Sequence, residues 1–139
     1  MFPPLQNLGK EKLMERKENG ITIEVPYLPT TLNQVLRMHK MERDRYFTKC
    51  KNDVWILAHE KGRIRPKRPY QKAKIIMTFI FPDKGVRDFD NYIGGAKGIT
   101  DGIKAAKIIQ DDCWQKLKVE FRGEVGKPPR TIIEVQEIR

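Results

Sequence analysis

The sequence predicts an α/β (α+β) fold: a single domain with a mixed β-sheet and two main helices, in the order β-α-β-α-β-β. Three observations carry this. Residues 75–81, IIMTFIF, are short, almost wholly apolar and rich in β-branched and aromatic side chains, the composition of a central strand buried on both faces. Two longer segments flanking this run repeat apolar residues every three or four positions, the period of an amphipathic helix. Two further stretches alternate apolar with polar residues, as half-buried strands do, and a last strand follows a proline turn. A length of 139 residues suits one domain, and neither an internal repeat nor a linker interrupts it.

In chain order, residues 1–19 are expected to form a flexible N-terminal arm and residues 20–139 the domain. Ile21, Ile23 and Val25 alternate with Thr22 and Glu24, a half-buried strand. Pro26 and Pro29 end it, and residues 26–34 are expected to be a loop. Asn33 and Arg37 sit beside that polar turn as candidate contacts to nucleic acid. Phe47, Cys50, Val54 and Leu57 then make a helical stripe over residues 41–61, with Gly62 as a fitting stop. His39 and His59 have no Cys or His at ligand spacing.

Residues 61–74, KGRIRPKRPYQKAK, hold seven Lys or Arg and no acid. Pro66 and Pro69 prevent a continuous helix. The segment reads as a stiffened basic loop in which Arg63, Arg65, Lys67 and Arg68 track phosphates; the alternative is a solvated linker. Beyond the central strand, Pro82 and Gly85 break the run. Ile93, Ala96, Ile99, Ile103 and Ala106 then predict one helix over about residues 91–106. Gly94, Gly95, Gly98 and Gly102 weaken that helix by about 1 kcal/mol each. They therefore imply the close approach of another backbone, a partner helix or a phosphate. Leu117, Val119 and Phe121 alternate with charged residues as a third strand. Pro128 and Pro129 mark a turn, and residues 131–138 form the last strand.

The net charge is +10, with 33% charged and 39% hydrophobic residues. That balance points to a polyanionic partner. No apolar run is long enough to cross a membrane, and no segment joins a basic face to exposed aromatics as a membrane-surface helix does. The first twenty residues lack the apolar core of a signal peptide. The two cysteines, Cys50 and Cys113, are far apart and form no CxxC, so the expected compartment is the reducing cytoplasm.

Against this basic background, residues 87–112 hold five aspartates and four basic residues. Asp88 and Asp90 are two apart; in an extended segment they project to one side just past the buried strand. Oxygen ligands without His or Cys favour Mg²⁺ or Mn²⁺. The competing reading is a turn in which Asp90 caps the next helix. Lys97 falls seven residues beyond Asp90, about two turns along one face, where it could steady a phosphate or simply pair with Asp101. Asp111 and Asp112 lie past the helix. A helix over residues 91–106 is roughly 22 Å long, and residues 107–112 reach at most roughly 20 Å when extended. Asp112 can therefore only just return to Asp88, and the other route is a partner subunit.

Asp88-Phe89-Asp90-Asn91, Lys97, Asp101-Gly102-Ile103 and Asp111-Asp112 together resemble the RusA family of Holliday-junction resolvases of bacteria and prophages. The earlier segment YLPTTLNQVLRMH is similar to the Pro-rich opening of that family, so the resemblance covers about residues 20–139. It departs from the shortest members in the five residues between Asn91 and Lys97. The resemblance implies a Mg²⁺-dependent endonuclease, with Mn²⁺ as a substitute, that works as a homodimer. Such an enzyme nicks opposing strands of four-way junction DNA in recombination and repair. It implies that Asp88, Asp90 and Asp112 hold the metal, that Lys97 is the functional lysine, and that Arg87 is the basic residue before the first aspartate, on the DNA side. Two other classes stay open on the residues alone: a non-catalytic nucleic-acid-binding protein of the same fold, and a Mg²⁺ enzyme acting on nucleotides. The second is weakened because no Gly-rich phosphate loop follows the first strand.

Overall fold

Strand β2 (Ala73–Phe81) lies inside a four-stranded sheet of order β1-β4-β2-β3 in the computed structural model, which describes residues 20–60 and 66–138. Strand β1 is Gly20–Val25, β3 is Leu117–Val125 and β4 is Arg130–Glu137. Strand β4 runs antiparallel to both β1 and β2, whereas β2 and β3 are parallel. The mixed sheet and single domain expected from the sequence are therefore present. The arm at residues 1–19 and the basic positions Arg63 and Arg65 lie outside the described residues, as does Gly62.

The expected two-sided burial of β2 holds. Ile75, Met77, Phe79 and Phe81 join the main core with Ile23, Val25, Ile133 and Val135. On the opposite face Ile76 and Ile80 are also buried. There, β2 is flanked by charged neighbours: Ile76 pairs with Glu120 and Glu134, and Ile80 with Glu124 and Arg130. Arg130 is itself buried, its guanidinium paired with Glu24 and donating to the Pro128 carbonyl, so its stem covers Ile80.

A short helix α1 (Leu32–Arg37) precedes α2 (Lys40–Glu60), which is the helix expected over residues 41–61 and runs without a break; the second expected helix is interrupted. Part of the expected loop at residues 26–34 is thus helical. The cause is a capping box at Thr31: Gln34 N–H donates to Thr31 Oγ1, and Gln34 Oε1 accepts from Thr31 N–H. This Thr-x-x-Gln spacing is a sequence-level helix start. The second helix is α3 (Phe89–Gly95) and α4 (Lys97–Ala105), divided at Ala96.

The glycines account for the division and for the packing. A Cβ on Gly95 would sit 1.7 Å from the Thr30 carbonyl oxygen. The Gly95 carbonyl in turn accepts the Tyr46 hydroxyl at 3.4 Å, while that hydroxyl accepts from Thr30 N–H at 2.6 Å. Added Cβ atoms on Gly98 and Gly102 would meet α2 itself, at the Phe47 carbonyl 2.7 Å away and Val54 Cβ 2.7 Å away. Gly94 would meet Leu32 at 2.8 Å. The expectation that these glycines admit a backbone is right at Gly95, Gly98 and Gly102, but the neighbour is the same chain, and Gly94 meets a side chain. They supply no argument for a partner helix or a phosphate. Their helix-propensity cost is offset by close α2–α4 packing over buried Cys50, Val54, Ile99 and Ile103.

Candidate metal centre

Past β2 the chain turns through residues 82–87 and delivers Asp88 to the start of α3. Arg87 holds this turn closed. Its Nη1 donates to the carbonyls of Asp83 and Gly85, both at 3.1 Å, and its Nη2 to Asp83 Oδ1 at 2.9 Å. The guanidinium also lies 4.9 Å from the centre of the Phe81 ring. Hydrogen bonds from Gly85 N–H and Arg87 keep the Asp83 carboxyl below the usual carboxylate range. Arg87, expected on the DNA side, thus has its donors directed at its own loop.

Asp88, rather than Asp90, is the helix cap. Its Oδ1 accepts from Asp90 N–H at 3.1 Å and its Oδ2 from Asn91 Nδ2 at 3.3 Å. The Asp88 backbone is extended, but Asp90 is already in the first turn of α3. The strand parity expected for the pair therefore does not apply. What keeps the two residues together is the cap itself. Both aspartates are exposed.

Lys97 begins α4, and the break at Ala96 means that it does not continue the helix face of Asp90. Its Nζ lies 3.0 Å from Asp101 Oδ2 and 5.5 Å from the centre of the Phe47 ring. The i,i+4 pairing weighed from spacing is the arrangement found. The lysine side chain is still 67% exposed, so an anion can reach it.

Asp111 and Asp112 do not return along α4. Lys107 takes a positive φ of 60°, and the next residues bond to the approach to β2: Tyr70 N–H donates to the Ile108 carbonyl and Gln110 N–H to the Tyr70 carbonyl. Lys104, at the end of α4, lies 3.9 Å from Asp111 and 3.5 Å from Asp112. Asp112 thus sits where β2 begins, and Asp88 follows where β2 ends. A nine-residue strand places those ends roughly 27 Å apart. Accordingly, among the described residues no group of three or more His, Cys, Asp or Glu side chains is arranged to hold a metal ion. One chain brings two of the three expected ligands together and leaves the third at the other end of the sheet.

The remaining candidates are surface residues. Asn33 and Arg37 are exposed on α1, and Lys67 and Arg68 are exposed ahead of Tyr70. Sequence reasoning overlooked Lys104, whose pairing with Asp112 depends on the turn at Lys107. It also overlooked the Tyr46 hydroxyl that ties α2 to Thr30 and Gly95. Burial pushes the Tyr46 phenol up to about 12. A second tie, Tyr27 to Asp53 at 2.5 Å with Lys49 at 2.8 Å from the same oxygen, raises Tyr27 through burial and the Asp53 bond. Burial alone would raise Asp53; bonds from Lys49 and Tyr27 outweigh it and hold the carboxyl low.

No protein-family model matches the chain, and no curated protein matches it.

Proposed function

We propose that the chain is a Mg²⁺-dependent endonuclease that resolves four-way DNA junctions by paired nicks, as its resemblance to RusA-family resolvases implies. The observation that carries the reading is the exposed Asp88/Asp90 pair, fixed by a helix cap directly beyond a buried strand in a chain of net charge +10. The donor chemistry fits a hard divalent cation, since every candidate ligand is a carboxylate. Asp88 and Asp90 would hold it, and Mg²⁺, or Mn²⁺ in its place, would supply electrophilic stabilisation of a phosphate and a more acidic water.

The third ligand is Asp112 in this reading, and it comes from a second copy, because within one chain it pairs with Lys104 at the opposite end of β2. Two identical sites suit two symmetric nicks. Lys97 stands exposed near the start of α4, able to exchange Asp101 for a phosphate oxygen. Lys67 and Arg68, together with Arg63, Arg65, Asn33 and Arg37, supply contacts to the sugar-phosphate backbone. Arg87 acts by shaping the loop ahead of Asp88.

A second reading is a junction-binding protein without cleavage. It is favoured by Asp88, both of whose carboxylate oxygens already accept hydrogen bonds. One assay separates the two: incubation of a synthetic four-way junction with wild type and Asp90→Asn, each with Mg²⁺ or a chelator. Symmetric nicks from wild type with Mg²⁺, lost in Asp90→Asn while binding persists, are expected. Binding by wild type without any nick would favour the second reading.

A further inference from the structure

Strand β3 is the edge of the sheet, and among the described residues no strand pairs with its outer side. It is nine residues long, a long edge to leave unpaired. Its core-side face is also incompletely covered, with Val119 40% and Val125 55% exposed.

Two features of this edge determine what fits it. The first is which backbone groups are free. Ala73 N–H donates to the Lys116 carbonyl, and Gly126 N–H donates to the Phe81 carbonyl. Even-numbered residues of β3 therefore direct their N–H and C=O groups toward β2. The odd-numbered residues 119, 121, 123 and 125 direct theirs outward, as does the Leu117 carbonyl, whereas the Leu117 N–H donates to the Cys113 carbonyl at 3.0 Å. The second is charge. On the face away from the helices, Lys118, Glu120, Arg122 and Glu124 alternate strictly in sign.

We propose that β3 pairs antiparallel with β3 of a second copy of this chain, Phe121 facing Phe121 across a two-fold axis, to make one continuous eight-stranded sheet. This deepens the two-copy reading above but rests on different residues. In that register Lys118 faces Glu124 of the other copy and Glu120 faces Arg122, so each pair occurs twice and all four contacts are between opposite charges. On the core side Leu117 faces Val125, which covers that exposed valine, and Val119 faces Gly123. Phe121 and the Val119–Gly123 pairs become fully hydrogen-bonded, and each terminal Leu117–Val125 pair keeps one bond, from the Val125 N–H to the Leu117 carbonyl. The charged residues fall at the non-hydrogen-bonded positions, where facing side chains come closest.

The register is also specified against its neighbours. A slip by one residue sets outward-facing groups against inward-facing ones and removes the hydrogen bonds. A slip by two residues sets Glu120 against Glu120 and Lys118 against Arg122, or Arg122 against Arg122 and Glu120 against Glu124. Only the Phe121-centred register combines full overlap with complementary charge. It also lays the segment carrying Asp111 and Asp112 of one copy beside the end of β3 from which the other copy continues, next to the turn that leads to Asp88.

The test changes the outermost pair, because Glu120 is already shared within the chain by Arg122 and Lys74. Sedimentation of the full chain without DNA or metal should give about twice the 16.3 kDa monomer mass. Lys118→Glu and Glu124→Lys each turn two attractive contacts into repulsive ones, so each alone should weaken dimerisation by about tenfold or more. An equimolar mixture of the two should recover wild-type affinity as a heterodimer, and so should the double variant. Both side chains are exposed, and circular dichroism should show the fold unchanged. A wild-type monomer at tens of micromolar overturns the proposal. So does a dimer that ignores both single changes, or a mixture that stays dissociated. Because none of these readouts involves cleavage, a failure here is distinct from a failure to nick a junction.

Discussion

Residues 88–91 and residues 94–102 belong to one short motif, yet they answer to opposite constraints. The glycines of the second part face packed atoms at 2.9 Å or less, so their identity is dictated by the close approach of α1, α2 and the Thr30 carbonyl. The aspartates of the first part are exposed and bound to each other only through a helix cap. Packing accounts for the glycines, whereas in the other set Asp88 serves as the helix cap and the Asp90 carboxylate stays exposed. A residue type that is costly for the local structure can thus point to an intramolecular neighbour as readily as to a ligand, and only the exposed half of the motif is informative about function.

The largest effect that sharpens this contrast is expected at Gly95. Gly95→Ala places a methyl group against the Thr30 oxygen, and a loss of about 3 kcal/mol or more is expected in urea unfolding, at the upper end of overpacking changes. A neutral outcome would show that α3 moves away from Thr30 without penalty and would erase the distinction.

The next effect is on pH dependence. Tyr46 ties this packed region together, and burial raises its folded value to about 12, against about 10 in an unfolded chain. The unfolded chain therefore loses that proton first as the pH rises. The stability contributed by the neutral phenol is complete below pH about 10 and is lost progressively toward pH about 12. Unfolding midpoints measured across that window should fall less steeply for Tyr46→Phe than for wild type. Equal slopes would exclude Tyr46 as the cause.

The aspartate half should respond weakly. Asp88→Ala removes a cap and should lose about 1 kcal/mol. Asp90→Asn should change stability by less than about 0.5 kcal/mol, which makes it the cleaner probe of activity. If Asp90→Asn proved as destabilising as Asp88→Ala, the separation of structural and free carboxylates within the pair would fail. Lys97→Ala should have the smallest effect, within about 0.5 kcal/mol, since its ion pair with Asp101 is exposed.

The sequence by itself determined the elements whose cause is local. The apolar run at residues 75–81 reads as a strand buried on both sides, and the alternation at residues 21–25 and 117–121, with the segment 131–138 after its proline turn, marked strands that the structure contains. Two helical segments were visible from their period. The Thr31–Gln34 capping box was present in the sequence too, although the prolines around it pointed to a loop. The aspartates were legible as residues, because acidic pairs stand out in a basic chain. Only the tertiary structure decided what each segment meets. Period and spacing specify which face of an element is apolar, not which backbone arrives against it. For that reason the glycines could be read as needing a neighbour but not as needing Thr30 and α2. The break at Ala96 and the turn at Lys107 likewise depend on contacts with Thr30, Tyr46 and Tyr70, all distant in sequence. Those contacts fix Asp112 at the far end of the sheet from Asp88, a separation that the local pattern of residues does not encode.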